Sequence, residues 1–476
     1  MDLATIGGGS AAVSLLDALA ASPGKTGTVT VFEPSPHLWR GRPYGPDLEA
    51  VLVNAPPGIM SIRSRDFGHY AAWLGERAAD HLDPLMGEPL VPRALYGEYL
   101  VDTAEKALAA LAEQGWLVRV AAARVTEVAR SGAHLALRTD DAHEHHAGHV
   151  ALCVGGGTPP DVYGLGGTPG FIADPYPLSD TLNRVPADGH VAVIGSGLTA
   201  VDIVAALAAR GHSGRITLLS RSGVLPHVWQ RPNGRQPRHV TAENVSGMHK
   251  ARGNVTLDDL AGLLRRELAD AGEDFDELLT DLRATATDDP VQRFRRQFAA
   301  VDDPRIGRRV VQQTAHSVGP FAWPLLPAAD RAWLRHHSRT VTSVASPMIP
   351  RNAAVLIRLL DSGQLTLASG VDTIEPVNRG FRVHDNRGEH RAEIVFNAVN
   401  PPPRTIPAAA QDLARSLVDA GLATAHPAGG LVPADPRVHV VGDLGGGRSF
   451  ITSSIPGVAA QAALTAKALT TASGDF

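Results

Sequence analysis

Two short stretches of the chain carry residue types spaced to hold a pyrophosphate. Gly7-Gly8-Gly9-Ser10-Ala11-Ala12 and Gly195-Ser196-Gly197-Leu198-Thr199-Ala200 both read G-x-G-x-x-A. In such a motif the first glycine permits a tight turn and the second lets a phosphate approach the backbone. The alanine lets the following helix pack close to the preceding strand, and the helix N-terminus offers free N–H groups and a partial positive charge to an anion. An apolar strand precedes each motif, Leu3 to Ile6 and Val191 to Ile194. A helix follows each: the first places Leu15, Leu16 and Leu19 on one face, and the second runs from Thr199 to Ala209 and stops at Gly211. The glycine pattern alone is weak evidence; strand, turn and helix in sequence make it specific.

The residue that ends the next strand sets what each site accepts. Thr28 to Phe32 ends in Glu33, whose carboxylate can accept hydrogen bonds from a ribose diol. Ile216 to Leu219 ends in Ser220 and Arg221. A carboxylate there would repel a 2′-phosphate, whereas Arg221 can pair with one and Ser220 can donate to it. Gly7, Gly9, Ser10, Ala11 and Glu33 are therefore expected to hold one dinucleotide, and Gly195, Ser196, Gly197, Thr199, Ser220 and Arg221 a second. Two motifs about 190 residues apart imply two nucleotides. In oxidoreductases of this kind the first site takes FAD and the second delivers hydride to it, here from NADPH rather than NADH.

Composition bounds the remaining choices. The chain has 476 residues, 44% hydrophobic and 20% charged, as in an ordinary globular protein with a full core. At roughly 150 residues per domain that length suggests about three units, or two large interleaved ones. The net charge of -5 calls for neither a nucleic-acid nor a membrane partner; a small-molecule substrate with O2 is expected instead, and a homo-oligomer is left open. The single cysteine, Cys153, excludes an intramolecular disulfide and the chemistry of flavin disulfide reductases, which need a redox-active pair. It suits a reducing, cytoplasmic setting. The apolar first twenty residues read as a strand entering a helix, because Asp2 follows Met1 and Asp17 interrupts the run. His143, His145, His146 and His149 lie between two strand-like runs beside Asp140-Asp141 and read as a hairpin tip; no metal site is expected.

The fold expected is α/β: an FAD domain with an inserted NADPH domain, both Rossmann-like, plus a mostly helical insertion. Residues 1–185 and 364–476 form the FAD domain, 186–236 and 328–363 the NADPH domain, and 237–327 the insertion. Pro34 to Asp66 is irregular and long enough to be functional. Helices are expected over 70–74 and 94–111, and strands near 117–120, 125–128, 135–138 and 150–154, the last running into Gly155-Gly156-Gly157. In the insertion Thr256 is an N-cap before a stripe of Leu257, Leu260, Leu264 and Leu268. Arg293, Arg295, Arg296, Arg308 and Arg309 make a solvated basic helix face, with an acidic ligand as the sharper alternative. Near the C-terminus, Val438 to Val441 precedes Gly442-Asp443. That acid is placed to bond a ribityl chain, and the helix after Pro456 to face the flavin pyrimidine oxygens.

These stretches together resemble the FAD-NAD(P)-binding protein family. The likeness rests on Gly7 to Ser10, Val29 to Glu33, Val53-Asn54-Ala55, Met60-Ser61 and Pro92-Arg93-Ala94-Leu95-Tyr96-Gly97-Glu98-Tyr99-Leu100. Gly195 to Asp202, Ser220-Arg221-Ser222-Gly223-Val224-Leu225-Pro226, Asn397-Ala398-Val399-Asn400-Pro401-Pro402 and Gly442-Asp443 extend it over nearly the whole chain. The family is related to flavin-dependent N-hydroxylating monooxygenases. By resemblance, Asn54 and Met60 lie near the isoalloxazine. The F-x-G-x-x-x-H-x-x-x-W/Y fingerprint of Baeyer–Villiger enzymes is missing. The function expected is a single-component FAD- and NADPH-dependent monooxygenase, in which a flavin C4a-hydroperoxide passes one oxygen to a small amine or amino acid. The alternatives are an NADPH-dependent flavoprotein reductase feeding a carrier such as ferredoxin, favoured by a basic face, and a nucleotide-sensing protein without turnover. No protein acid or base is assigned; His316, Trp323, His336 and His337 lie in the region to search.

Overall fold

The computed structural model describes residues 1–22, 24–221, 223–285, 287–386, 388–446, 450–451 and 454–471. The first unit opens with β1 (Asp2–Ile6), α1 (Ser10–Ala20) and β2 (Thr28–Phe32). A long excursion carrying α2 (His69–Leu74) and α3 (Arg93–Glu113) leads to β3 (Leu117–Ala121). An antiparallel meander follows, β4 (Val125–Ser131), β5 (His134–Thr139) and β6 (Glu144–Ala147), and then β7 (His149–Leu152). Of the four histidines only His143 is in the hairpin turn, where it pairs with Asp141; His145 and His146 lie in β6, with the His145 ring edge-on to Phe32 and His146 paired with Glu144, and His149 opens β7 beside His439. Among the described residues no group of three His, Cys, Asp or Glu side chains is placed to hold a metal ion.

The second unit repeats this plan. It begins with β8 (Phe171–Ile172) and α4 (Leu178–Thr181), then β9 (Val191–Ile194), α5 (Leu198–Ala209) and β10 (Ile216–Ser220). Its excursion contains α6 (Ala242–Arg252), α7 (Leu257–Ala269), α8 (Phe275–Ala284), α9 (Pro290–Ala299), α10 (Gly307–Ser317), α11 (Gly319–Ala322), α12 (Ala328–His336) and α13 (Ser338–Ala345). The chain returns through α14 (Pro350–Asp361), which packs on α5, to β11 (Leu365–Ser369). A second meander, β12 (Thr373–Val377), β13 (Gly380–Asp385) and β14 (Gly388–Ala392), leads to β15 (Ile394–Asn397). The C-terminal part adds α15 (Gln411–Asp419), the hairpin β16 (Ala423–Ala425) with β17 (Leu431–Pro433), β18 (Val438–Val440) and α16 (Ile455–Thr471).

The two main sheets are parallel, in orders β18-β7-β1-β2-β3 and β8-β15-β9-β10-β11. Four strands correspond, β7-β1-β2-β3 with β15-β9-β10-β11, while the edge strand comes last in the first unit (β18) and first in the second (β8). Their central strands read as continuous apolar runs because helices and a meander cover both faces: β9 and β10 are buried throughout. One face of the first sheet packs on α1, α3 and α16, through Leu15, Leu16, Leu100, Leu111, Val458 and Leu469. The other face packs on the β4–β6 meander and α15.

The strand pairings move the expected boundaries. β11 pairs with β10 and β15 with β9, so the chain does not return to the first sheet at residue 364; it returns at β18, which pairs with β7. β8 pairs with β15, so the second unit starts before residue 186. The helical insertion also continues past 327, since α12 and α13 pack with each other and α13 with α10. A bridge between Val228 and Met348 closes its neck. Within it Thr256 does cap α7, as a full capping box with Asp259. The buried residues of α7 are Leu263, Glu267 and Leu268, while Leu257, Leu260 and Leu264 are half-buried. Glu267 turns inward because Oε2 accepts from the backbone N–H groups of Arg238 and His239. Among the described residues no helix is long and apolar enough to cross a membrane.

Candidate functional site

Both glycine turns lie at the C-terminal ends of parallel strands, where doubly wound sheets bind ligands. Their geometry matches. Gly7 has φ +101° and Gly195 φ +120°, a region open to glycine. Gly7 N donates to Phe32 O at 2.8 Å, and Gly195 N to Leu219 O at 2.7 Å. A Cβ on Gly7 would collide with Cys153 O, and one on Gly195 would sit 2.8 Å from Ala398 O. Gly9 and Gly197 are the N-cap residues of α1 and α5, and neither helix has a side-chain cap. Side chains of Thr241, Thr256, Asp274 and Asp289 cap α6, α7, α8 and α9, while α3, α10, α14 and α15 are uncapped like α1 and α5; what sets α1 and α5 apart is the glycine turn that leads into each. The first N–H groups of α1 and α5 thus remain for an anion. Ser10 and Ala11 begin α1. Thr199 Oγ1, in the first turn of α5, donates to Asn400 Oδ1 at 3.2 Å.

The residues that end β2 and β10 occupy equivalent places. Glu33 is turned onto its own glycine turn: Oε2 accepts from Gly8 N at 2.7 Å and Oε1 from Ser35 N at 2.9 Å. Ser220 stands where Glu33 does, with its Oγ 3.2 Å from Ser196 Oγ. It was expected to face a 2′-phosphate. It is nine-tenths buried and accepts from Gly223 N at 3.0 Å, so its oxygen helps shape the loop. Ser196 Oγ also points inward, donating to Val224 O at 2.7 Å. Arg221 is exposed beyond them, and Ser222 lies outside the described residues.

At the far side of the first turn, Gly442 (φ +96°) passes beside Ala11 and donates its N–H to Gln461 Oε1 at 2.9 Å. Asp443 Oδ2 lies under Gly156, so the Gly155–Gly157 turn, Asp443 and the start of α1 converge. The first turn of α16 is already partly closed, because Gly457 N donates to Ser454 Oγ. Burial pushes the Cys153 thiol up to about 12, which removes it from thiolate chemistry.

The stretch Pro34 to Asp66 is a seam between the units. Gly41 crosses Gly9, with a Cβ on Gly9 only 3.5 Å from Gly41 Cα. Asp47 accepts from Leu178 N and Ser179 N of the second unit. Val51 is part of that unit's core. Asn54 O accepts from Trp229 Nε1 at 2.8 Å, and Asn54 Oδ1 is buried without a hydrogen-bond partner. Met60 is buried, and its carbonyl accepts from Tyr96 Oη at 2.8 Å. The tyrosine-rich run of α3 explains itself here. A Cβ on Gly97 would strike Tyr44 O, and the rings of Tyr44, Tyr70, Tyr96 and Tyr99 pack with centroids 4.6–5.3 Å apart.

Arg93 and Asp202 join the units through charge. Arg93 Nη2 lies 2.6 Å from Asp202 Oδ2, and the carboxylate is 0% exposed. Burial pushes the Asp202 carboxyl up, opposed by the Arg93 charge and the Tyr176 hydroxyl that donates to it. Both residues lie in runs that carry the family resemblance; nothing in the sequence announced that they pair.

The insertion does not present the basic face expected of it. Arg293, Arg308 and Arg309 are buried and donate to backbone carbonyls: Thr285 and Leu225, Ala300, and Arg231, Arg305 and Asp303 in turn. Arg295 pairs with Asp361 and Arg296 with Asp288. Between α9 and the loop after β10, His227 is buried, which pushes its pKa down to about 3; it takes a hydrogen bond from Gln297 and meets Thr285 Oγ1. Of the other residues to be searched, His316 bonds Ala345 O, Trp323 is buried against Phe450, and His336 and His337 are exposed.

The geometry is that of two like α/β units, each with a glycine turn and a helix N-terminus at the C-terminal end of a parallel sheet. Residues 4–157 match the family model described as FAD-NAD(P)-binding. Three solved structures share the fold over nearly the full length. L-lysine 6-monooxygenase from Pseudomonas syringae is 17% identical, with 98% of each chain covered and a TM-score of 0.57. Ornithine N-hydroxylase from Kutzneria sp. 744, with reduced FAD, NADP+ and L-ornithine, is 15% identical, with 98% of each chain covered and a TM-score of 0.58. The FAD-bound cadaverine monooxygenase of desferrioxamine biosynthesis from Erwinia amylovora is 13% identical, covering 98% of this chain and 94% of that one, with a TM-score of 0.60. No curated protein matches in sequence.

Proposed function

We propose that this protein is a single-component monooxygenase, dependent on FAD and NADPH, that N-hydroxylates a small amine or amino acid. The observation that carries the reading is the repeated glycine turn with an uncapped helix, followed by a carboxylate in the first unit and by Ser220-Arg221 in the second. Gly7, Gly9, Ser10 and Ala11 fit an FAD pyrophosphate, Glu33 the adenosine ribose, and Gly442 with Asp443 the ribityl chain. Asn54 Oδ1, a buried acceptor without a partner, fits a ring N–H of the isoalloxazine, with Met60 beside it. Gly195, Ser196, Gly197 and Thr199 fit the NADPH pyrophosphate through the start of α5. Arg221 pairs with the 2′-phosphate, and Ser220 supports it from within by holding the loop.

Bound flavin supplies two-electron reduction by nicotinamide and activation of dioxygen. The chain's residues bind, orient and exclude water. Overall, amine, O2, NADPH and a proton give hydroxylamine, NADP+ and water. The amine class follows the named activities on lysine, ornithine and cadaverine of the three similar structures. The carrier-reductase reading loses its support with the buried and paired arginines of the insertion. The test is a screen of diamines and basic amino acids with the FAD-loaded protein, measuring hydroxylamine against NADPH consumed and H2O2 released. Near-stoichiometric hydroxylamine with one amine is expected. NADPH oxidation that yields only H2O2 with every amine, but reduces ferredoxins, would overturn the reading.

A further inference from the structure

The segment Val51–Asn54 is fastened from two sides, and both fasteners lead to the second glycine turn. On one side is Arg93, at the start of α3. Its backbone N–H donates to Val51 O at 2.8 Å and its Nε to Leu52 O at 3.0 Å. The same guanidinium donates through Nη1 to Tyr176 Oη at 3.0 Å and pairs with Asp202, five residues beyond Gly197 on α5. On the other side is Trp229, nine residues beyond Ser220, whose indole N–H holds Asn54 O. Trp229 is buried with Leu52, Met86, Leu90 and Ile349. Asp202 is fully buried on a face of α5 where an apolar residue would pack without desolvation cost. Its Oδ1 has no hydrogen-bond partner, so the carboxylate is spent on Arg93 and Tyr176 alone.

We propose that Arg93, Asp202 and Tyr176, with Trp229, are positioning residues that couple the second nucleotide site to Asn54, fixing the nicotinamide against the flavin for hydride transfer. The coupling rests on the two-nucleotide reading above. It acts through a short path: the start of α5 carries the bound nucleotide, Asp202 holds Arg93, and Arg93 holds the backbone two residues before Asn54. A linkage of this kind is reciprocal, so each nucleotide should sense the other.

The experiment uses FAD-loaded wild type with the Asp202→Asn, Arg93→Lys, Tyr176→Phe and Trp229→Phe variants. The readouts are the flavin absorbance change on adding NADP+, the anaerobic rate of flavin reduction by NADPH and by 4-deuterated NADPH, and the rate of reduction by dithionite. Coupling predicts at least a tenfold slower reduction by NADPH in Asp202→Asn, a larger deuterium effect, a diminished NADP+-induced flavin spectrum and an unchanged dithionite rate. Arg93→Lys, which keeps the charge facing Asp202 but not the forked bonds to Leu52 O and Tyr176, should slow reduction by less than Asp202→Asn. If Asp202→Asn does not fold, the double variant Arg93→Met with Asp202→Leu removes the charges together, and it should fold yet stay slow. Folded, FAD-loaded variants that match wild type in NADPH rate, isotope effect and difference spectrum would reduce these residues to core packing and sink the proposal. Wild type that binds FAD but neither responds to NADP+ nor is reduced by NADPH would overturn the two-nucleotide reading, and the coupling with it.

Discussion

On the proposed function, Arg221 is the residue on which the choice of NADPH over NADH turns. Its counterpart in the first unit is Pro34, and Ser220 stands in place of Glu33, so the second strand end carries a cation and no carboxylate. A charge-assisted bond to a phosphate contributes about 1.5–3 kcal/mol, roughly a ten- to hundredfold effect on binding. Arg221→Ser is expected to raise KM for NADPH by about that factor and leave KM for NADH nearly unchanged. Steady-state kinetics with both nucleotides checks it; an unaltered preference would make Arg221 an ordinary surface arginine. At this scale the sequence was informative where chemistry is local. Gly7, Gly9, Gly195 and Gly197 stand where the spacing put them because the turn itself demands them. The burial of Ser220 and its acceptance from Gly223 N, three residues on, belong to a loop whose shape no spacing rule foretells. Gln461, which holds Gly442 N, and the contact of Asn400 with Thr199 join positions that only the closed sheets bring together.

At the scale of elements, the two glycine turns should be separable by mutation although their geometry is the same. An alanine at either first glycine is strained by its positive φ, at about 1–3 kcal/mol, and also strikes a carbonyl of the neighbouring strand connection. Gly7→Ala is expected to purify with little or no flavin. Gly195→Ala is expected to stay yellow and be reduced by dithionite but not by NADPH. The flavin-to-protein absorbance ratio and an anaerobic NADPH titration decide; flavin loss from Gly195→Ala instead would show the two turns to be one folding unit. Helices α1, α5 and α7 were legible because each has an apolar stripe with a start or stop signal in a few residues. The stripe of α7 was placed slightly off because Glu267, a charged residue by type, is drawn inward by the N–H groups of Arg238 and His239. The boundary at 364 failed for a related reason. β11 is an apolar strand that could join either sheet, and its partner β10 lies across the whole helical insertion.

At the scale of the molecule, the seam is expected to make the two units one cooperative body. Val51 belongs to the core of the second unit while its neighbours Val53 and Met60 belong to that of the first, and the Arg93–Asp202 pair is buried between them. Breaking one partner of such a pair costs about 3–5 kcal/mol, so neither unit can melt without disturbing the other. Calorimetry of the FAD-loaded protein should show a single transition with matching calorimetric and van't Hoff enthalpies; two resolved transitions would mean the seam carries little energy. The two glycine-turn units were legible in the sequence, but not how they are stitched, because the stitches come from an irregular segment with no periodicity to read. In both units the longest excursion leaves the sheet at the same place, after the strand that follows the glycine-turn helix: in the first it makes the seam and the tyrosine-rich helix, in the second the helical insertion. That is the edge of the sheet where the glycine turns lie, so chain length there can change what each turn admits while the sheet beneath stays the same.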